Sequence, residues 1–418
     1  MNIDVGVDIY TKYKNCKSYN LITLEQADSF FKQVEKIRSM HDNCFEVVRD
    51  LETAFKKSDI TNQWIQGHLQ NQEFLLALNK YGSRSFNDIS SYPFFPWVLT
   101  DFKSDIHTFK IGQQNNQFSR DYGKTTVVFN EQDKEAIDRK YNGRVEDYQS
   151  DDEQGLTREE NYCENHIDWK MTGKEPFQVQ SGYSALLTNM QFMQRYEPYT
   201  SAFISQYGGQ ETAERAPYDF ASVYGDVLTS ASNTELVPEF FFIPELFQNR
   251  NMIHNGLANA TEKDQQDFKE KKKVIGDQLK LPPYAVNTHD LVRIFREELE
   301  SDYVKQNIYK WIDLIYGVDQ KDASKYNRFV SAAYPDFHKK DVLEFDDTTD
   351  DKEEKYQTAF CLVKNVDETG IIPPRLFDVT LRPKDVHDAN LQATGATDGT
   401  GGNANPATGS SKGRQTTM

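Results

Sequence analysis

The most apolar stretch of the chain has the least regular pattern: Leu236 to Phe247 reads LVPEFFFIPELF. Pro238 and Pro244 fix φ and remove backbone donors, so the segment is neither an uninterrupted helix nor a central strand. Burying the rings of Phe240, Phe241 and Phe242 is worth about 2 to 3 kcal/mol each, which places the segment in the core with an irregular backbone. Its backbone groups and the carboxylates of Glu239 and Glu245 then need hydrogen-bond partners from amides or an arginine. All seven of these residues are therefore assigned to the structural core. A second run, YPFFPWVL at 92–99, repeats the pattern. Pro93 and Pro96 bracket two phenylalanines, and Trp97 joins the same core.

The remaining apolar positions mostly follow helical spacing. Two short alternating segments, VDIYTKY and KSYNLIT, precede a Thr23/Gln26 capping box and a stripe of Ala27, Phe30, Phe31, Val34 and Ile37. Further helices are expected over Asn43–Lys57, from a cap at Asn71 to Gly82, over Glu131–Tyr141, Tyr183–Tyr196 and Tyr218–Leu228. Thr288 is expected to cap one long helix, with Trp311 in its apolar stripe and Gly317 as its stop. The fold class is thus mainly α, with irregular extended segments in the core and a small β/α piece at the N-terminus.

Polar stretches divide the rest. Residues 110–175 read as a solvated insertion, rich in acids between Glu146 and Glu164, and 384–418 read as a disordered tail without aromatic residues. The chain has 418 residues, 37% hydrophobic and 13% aromatic, with a formal charge of -17 at pH 7. Such a charge repels nucleic acid and anionic membranes. No apolar run is long enough to span a bilayer and no secretory signal opens the chain, so the expectation is a cytoplasmic, soluble or peripherally attached protein.

Four scattered cysteines show no CxxC spacing, and the lone Cys163/His166 pair lacks a second pair at zinc-site spacing. Neither GxxxxGK[ST] nor HExxH occurs in the sequence. Glu297, Glu298, Glu300 and Asp302 form an acidic group on the long helix, read as a solvated face paired with Arg293 and Arg296. The expectation is no catalytic residue, no cofactor and no metal ligand.

Several of these segments, in order, resemble blocks of the BEACH-domain family, the family of the beige and neurobeachin trafficking proteins. Asn79, Arg84, Asn87 and Asp88 match its N-x-x-x-G-R-S-Y-N-D-L motif, followed by YPFFPWVL. EPYTSAF at 197–203, LVPEFFFIPELF, and the stretch from Leu281 to Gln320 are similar to later blocks. The family's H-Y-G-T-H-Y-S block departs, reading QVQSGYS at 178–184. The resemblance implies a BEACH-type helical domain at 63–345, a linker helix at 41–62, a C-terminal extension at 346–383, and the close of a partial PH-like module at 1–40. The earlier strands of that module, and the WD40 repeats that commonly follow the family's domain, are not seen in these residues.

As to function, the resemblance implies a non-enzymatic scaffold of membrane and vesicle traffic that binds protein partners of the trafficking machinery. It would sit in the cytoplasm or peripherally on endosomal, lysosomal or other vesicle membranes, with effects on lysosome-related organelles or autophagy. The alternative is a signalling adaptor of the neutral-sphingomyelinase-activation kind. Interaction surface is expected where the PH-like piece meets the domain, around Arg84 and Tyr92.

Overall fold

The computed structural model describes residues 5–10, 16–21, 24–40, 51–105, 107–112, 118–129, 131–153, 175–206, 220, 224, 233–248, 250–251, 280–335 and 369–383. The expected helix at 218–228, the tail, and the Cys163/His166 pair lie outside them, apart from Phe220 and Tyr224. The described part is mainly helical. Its one named sheet pairs β1 (Val5–Tyr10) antiparallel to β2 (Cys16–Leu21), with Val5 opposite Leu21. Helix α1 (Leu24–Met40) follows. Phe30, Phe31 and Val34 of its apolar stripe are half-buried, and Ile37 is 49% exposed.

Helices α2 (Leu51–Lys57), α3 (Ile60–Ile65) and α4 (Asn71–Tyr81) come next. The cap of α4 falls one residue earlier than the sequence suggests. The Gln70 amide donates to Glu73 Oε2 at 3.1 Å, while Asn71 turns inward to accept from Trp64 Nε1 at 2.9 Å and donate to the Leu299 carbonyl at 2.7 Å. Gly82 ends α4. A Cβ there would come within 2.8 Å of the Tyr316 ring, so the helix end and that ring can meet only across a glycine.

Helix α5 (Glu131–Glu153) is longer than the expected fragment, and α6 (Leu186–Met193) and α7 (Tyr199–Gln206) form the pair after it. The expected long C-terminal helix is two helices, α8 (Thr288–Leu299) and α9 (Asp302–Tyr316). The break has a local cause: the Ser301 hydroxyl accepts from the Val304 amide at 3.3 Å and so caps α9. Similarly Asn287, rather than Thr288, caps α8 by accepting from the Asp290 amide at 2.9 Å. Residues 369–383 then lie along α9. Leu376 and Phe377 donate to the Tyr316 carbonyl at 2.7 and 3.0 Å, and Gln320 Nε2 donates to the Pro373 carbonyl at 2.8 Å.

This strap carries a pH-dependent contact. The Leu381 amide donates to Asp313 Oδ1 at 3.2 Å, and burial, the largest influence, pushes the Asp313 carboxyl up to about 6 from 3.8. Between those values the unfolded chain has released a proton that the folded chain still holds. Stability contributed by Asp313 is therefore full below 3.8 and lost as pH rises through about 6. Asp313→Asn, which keeps an acceptor for Leu381, is expected to flatten that part of the profile. Thermal unfolding across pH 4 to 7 checks it, and an unchanged difference between wild type and variant over that range would refute it.

Candidate functional site

The two proline-broken runs meet at the centre of the described core. Phe95 and Leu236 form an antiparallel bridge, with N–H···O distances of 2.7 and 2.9 Å. The prolines that exclude regular structure also explain what replaces it. Pro238 and Pro244 each open a 3-10 turn, Pro238–Phe241 and Pro244–Phe247, where their missing N–H and fixed φ carry no penalty. Each turn is short enough to let the rings point in different directions. Phe240 packs against Phe192, Phe247 and Phe295 at 5.4, 5.1 and 6.3 Å between centroids, and Phe241 against Phe95 and Phe295 at 5.3 and 5.4 Å.

Glu235, one residue before the second run, holds the two together. Its Oε1 and Oε2 accept from Arg120 Nη1 at 2.7 and 2.8 Å, Oε1 accepts from Trp311 Nε1 at 3.0 Å, and Oε2 accepts from the Trp97 amide at 3.0 Å. Trp97 Nε1 donates to the Thr234 carbonyl at 3.1 Å, so both tryptophan indoles of the site spend their donors on this segment. Burial pushes the Glu235 carboxyl up, and the guanidinium and indole donors oppose it. Arg120 is equally buried and also donates to the Lys124 carbonyl at 3.0 Å. Asn79 performs the same task for the first run. Its side chain donates to the Phe94 carbonyl at 2.9 Å and accepts from the Phe94 amide at 3.0 Å.

The residues singled out from sequence fall in three places. Trp97, Pro238, Glu239, Phe240, Phe241 and Trp311 are buried. Phe242, Pro244 and Glu245 are half-buried, at the edge of the core to which they were assigned rather than inside it, and Glu245 lies 3.6 Å from the exposed Arg250. The second 3-10 turn carries Glu245 to the edge of the core, whereas Leu246 and Phe247 point back into it.

Arg84 and Tyr92 are each 3% exposed, so neither presents a free surface. Arg84 lies over the Phe94 ring at 5.3 Å and donates through Nη2 to the Ile371 carbonyl, fastening the strap to the first run. Burial pulls its pKa down to about 10. The Tyr92 hydroxyl donates to Glu239 Oε1 at 2.6 Å and lies 3.4 Å from the Tyr199 hydroxyl. Burial pushes the Glu239 carboxyl up, and among the described residues its buried Oε2 has no hydrogen-bond partner.

Two carboxylate and arginine assignments change. Glu298 is not on the solvated face of α8: it is fully buried, accepting from the Gly112 amide at 2.7 Å and from the Ser119 hydroxyl. Glu297 does face solvent, 2.6 Å from Arg293. The stretch 118–128, expected within the solvated insertion, buries Phe118, Ser119, Arg120, Tyr122 and Thr125–Val128. Its short apolar cluster TVVF, just after an isolated arginine, is the one sequence signal that marks it.

Among the described residues, no group of three or more His, Cys, Asp and Glu side chains converges as a metal site, and no helix is long and apolar enough to cross a membrane. Residues 62–384 match the family profile described as Beige/BEACH domain. The chain is also 27% identical over 373 residues to the BEACH domain-containing protein lvsE of Dictyostelium discoideum, a similarity covering 87% of this chain and 15% of that protein.

Proposed function

Because this chain belongs to the Beige/BEACH domain family, we propose that it works as a non-enzymatic scaffold in membrane and vesicle traffic, acting through protein partners. Membership over most of the chain carries this reading. The site geometry supports it: the buried Glu235 and Glu298 and the buried Arg84 and Arg120 are bonded to backbone and side chains of the fold itself. The cytoplasmic, peripheral location belongs to the same reading, as does the assignment of the hairpin and helix at 5–40 to the close of a PH-like module. The chain spans 15% of the length of the curated relative it matches, so the reading concerns the domain.

Proximity labelling from the full chain in cells tests it. Enrichment of vesicle, endosome or lysosome proteins is expected. Labelling restricted to soluble cytosolic enzymes, with organelle size and number unchanged on loss of the protein, would overturn it.

A further inference from the structure

Helix α5 is held to the domain differently from the helices of the core. Of residues 134–146 only Ile137 is buried, whereas α9 buries nine of its 15 residues. The seam of α5 is made of polar latches on two half-buried rings. Asp138 Oδ2 accepts from the Tyr326 hydroxyl at 2.8 Å, and Lys134 lies over the same ring at 5.6 Å. Arg144 Nη1 donates to the Phe177 carbonyl at 2.8 Å, with its guanidinium 3.8 Å from the centre of the Phe177 ring. An element held by few buried apolar contacts opens at a lower free energy than the core. The helix is also weak in itself. Gly143 lies in its interior, where glycine loses more conformational freedom than alanine, and a Cβ there would meet nothing within 4 Å, so no close packing demands it. The last residues read SDDE with no basic residue in the final turn, a charge pattern opposed to the helix dipole. So polar a helix is marginal in water without its docking surface, and undocking and unwinding therefore go together.

We propose that α5 is a detachable cover, which opens as one unit while α8, α9 and the two proline-broken runs stay folded. Opening withdraws Lys134, Ile137, Asp138 and Arg144 from the domain and bares the rings of Phe177 and Tyr326. The backbone that carries those rings is fixed without α5. Val179 and Phe329 form a parallel bridge, and the Gln178 and Val179 amides donate to the Arg328 carbonyl at 2.8 and 3.1 Å. The open state thus presents two aromatic rings on a rigid base, a surface that exists only while α5 is away. Opening needs no partner, so it stands or falls independently of the scaffold reading.

Hydrogen exchange of the full chain, followed by mass spectrometry of peptides from α5, α8 and α9, tests this. Peptides from α5 are expected to be protected, yet to exchange about a hundredfold or more faster than those from α8 and α9. Gly143→Ala removes no contact and is expected to slow exchange across α5 about fivefold, the effect of that replacement in a helix interior. Arg144→Ala releases the Phe177 latch and is expected to speed it about tenfold. Exchange in α8 and α9 is expected to stay unchanged in both variants. The proposal is overturned if α5 is unprotected from the outset, if it exchanges as slowly as α9, if either variant leaves its rate unchanged, or if either alters α8 and α9 as much as α5.

Discussion

Glu235→Ala is expected to lower stability by about 3 to 5 kcal/mol, the usual result of removing one partner from a buried ion pair. The reason is what the substitution leaves behind. Arg120 keeps its charge in a site 1% exposed, Trp311 Nε1 loses its acceptor, and the Trp97 amide loses another. Net Coulomb energy is the smaller part, because desolvating both ions offsets much of their attraction. Hence the paired change Glu235→Leu with Arg120→Met is expected to recover most of the loss. Urea titration of the three proteins, monitored by tryptophan fluorescence and circular dichroism, measures this. A shift of less than about 1 kcal/mol for Glu235→Ala would show that the network is not what joins the two runs.

The second large effect separates neighbouring phenylalanines. Phe241 is fully buried between Phe95 and Phe295, so Phe241→Ala is expected to cost about 3 to 5 kcal/mol through lost transfer energy and an unfilled cavity. Phe242, half-buried on the rim of the turn, is expected to cost about 1 to 2 kcal/mol. Equal losses for the two variants, measured by the same titration, would place the 3-10 turn in a different rotation.

Part of this core was legible from the prolines and phenylalanines. Two apolar runs that cannot form helix or strand must be buried irregularly, and the backbone groups freed by the prolines must find partners. The identity of those partners was not legible. Arg120 lies 115 residues from Glu235, inside a stretch whose average composition is polar, and only the folded chain brings the two together. Glu298 failed for a related reason. On helical spacing alone it neighbours the ion-paired Arg293 and Glu297, and its burial depends on Gly112 and Ser119, 186 and 179 residues away. The edge position of Glu245 was hidden because a 3-10 turn has a different angular step from the helix or strand against which apolar periodicity is usually judged.

The bridge between the two runs also fixes when the domain can close during synthesis. Trp97 waits for Glu235 across 138 residues, and Arg84 waits for Ile371 across 287. At about 5 to 20 residues per second, the first interval alone lasts roughly 7 to 28 s. Throughout it YPFFPWVL has α4 before it, but LVPEFFFIPELF, which bridges to it at Phe95, has not been made. So many distant contacts make folding slow, and an aromatic run that is buried in the finished protein stays partly uncovered on the nascent chain until its later partners arrive.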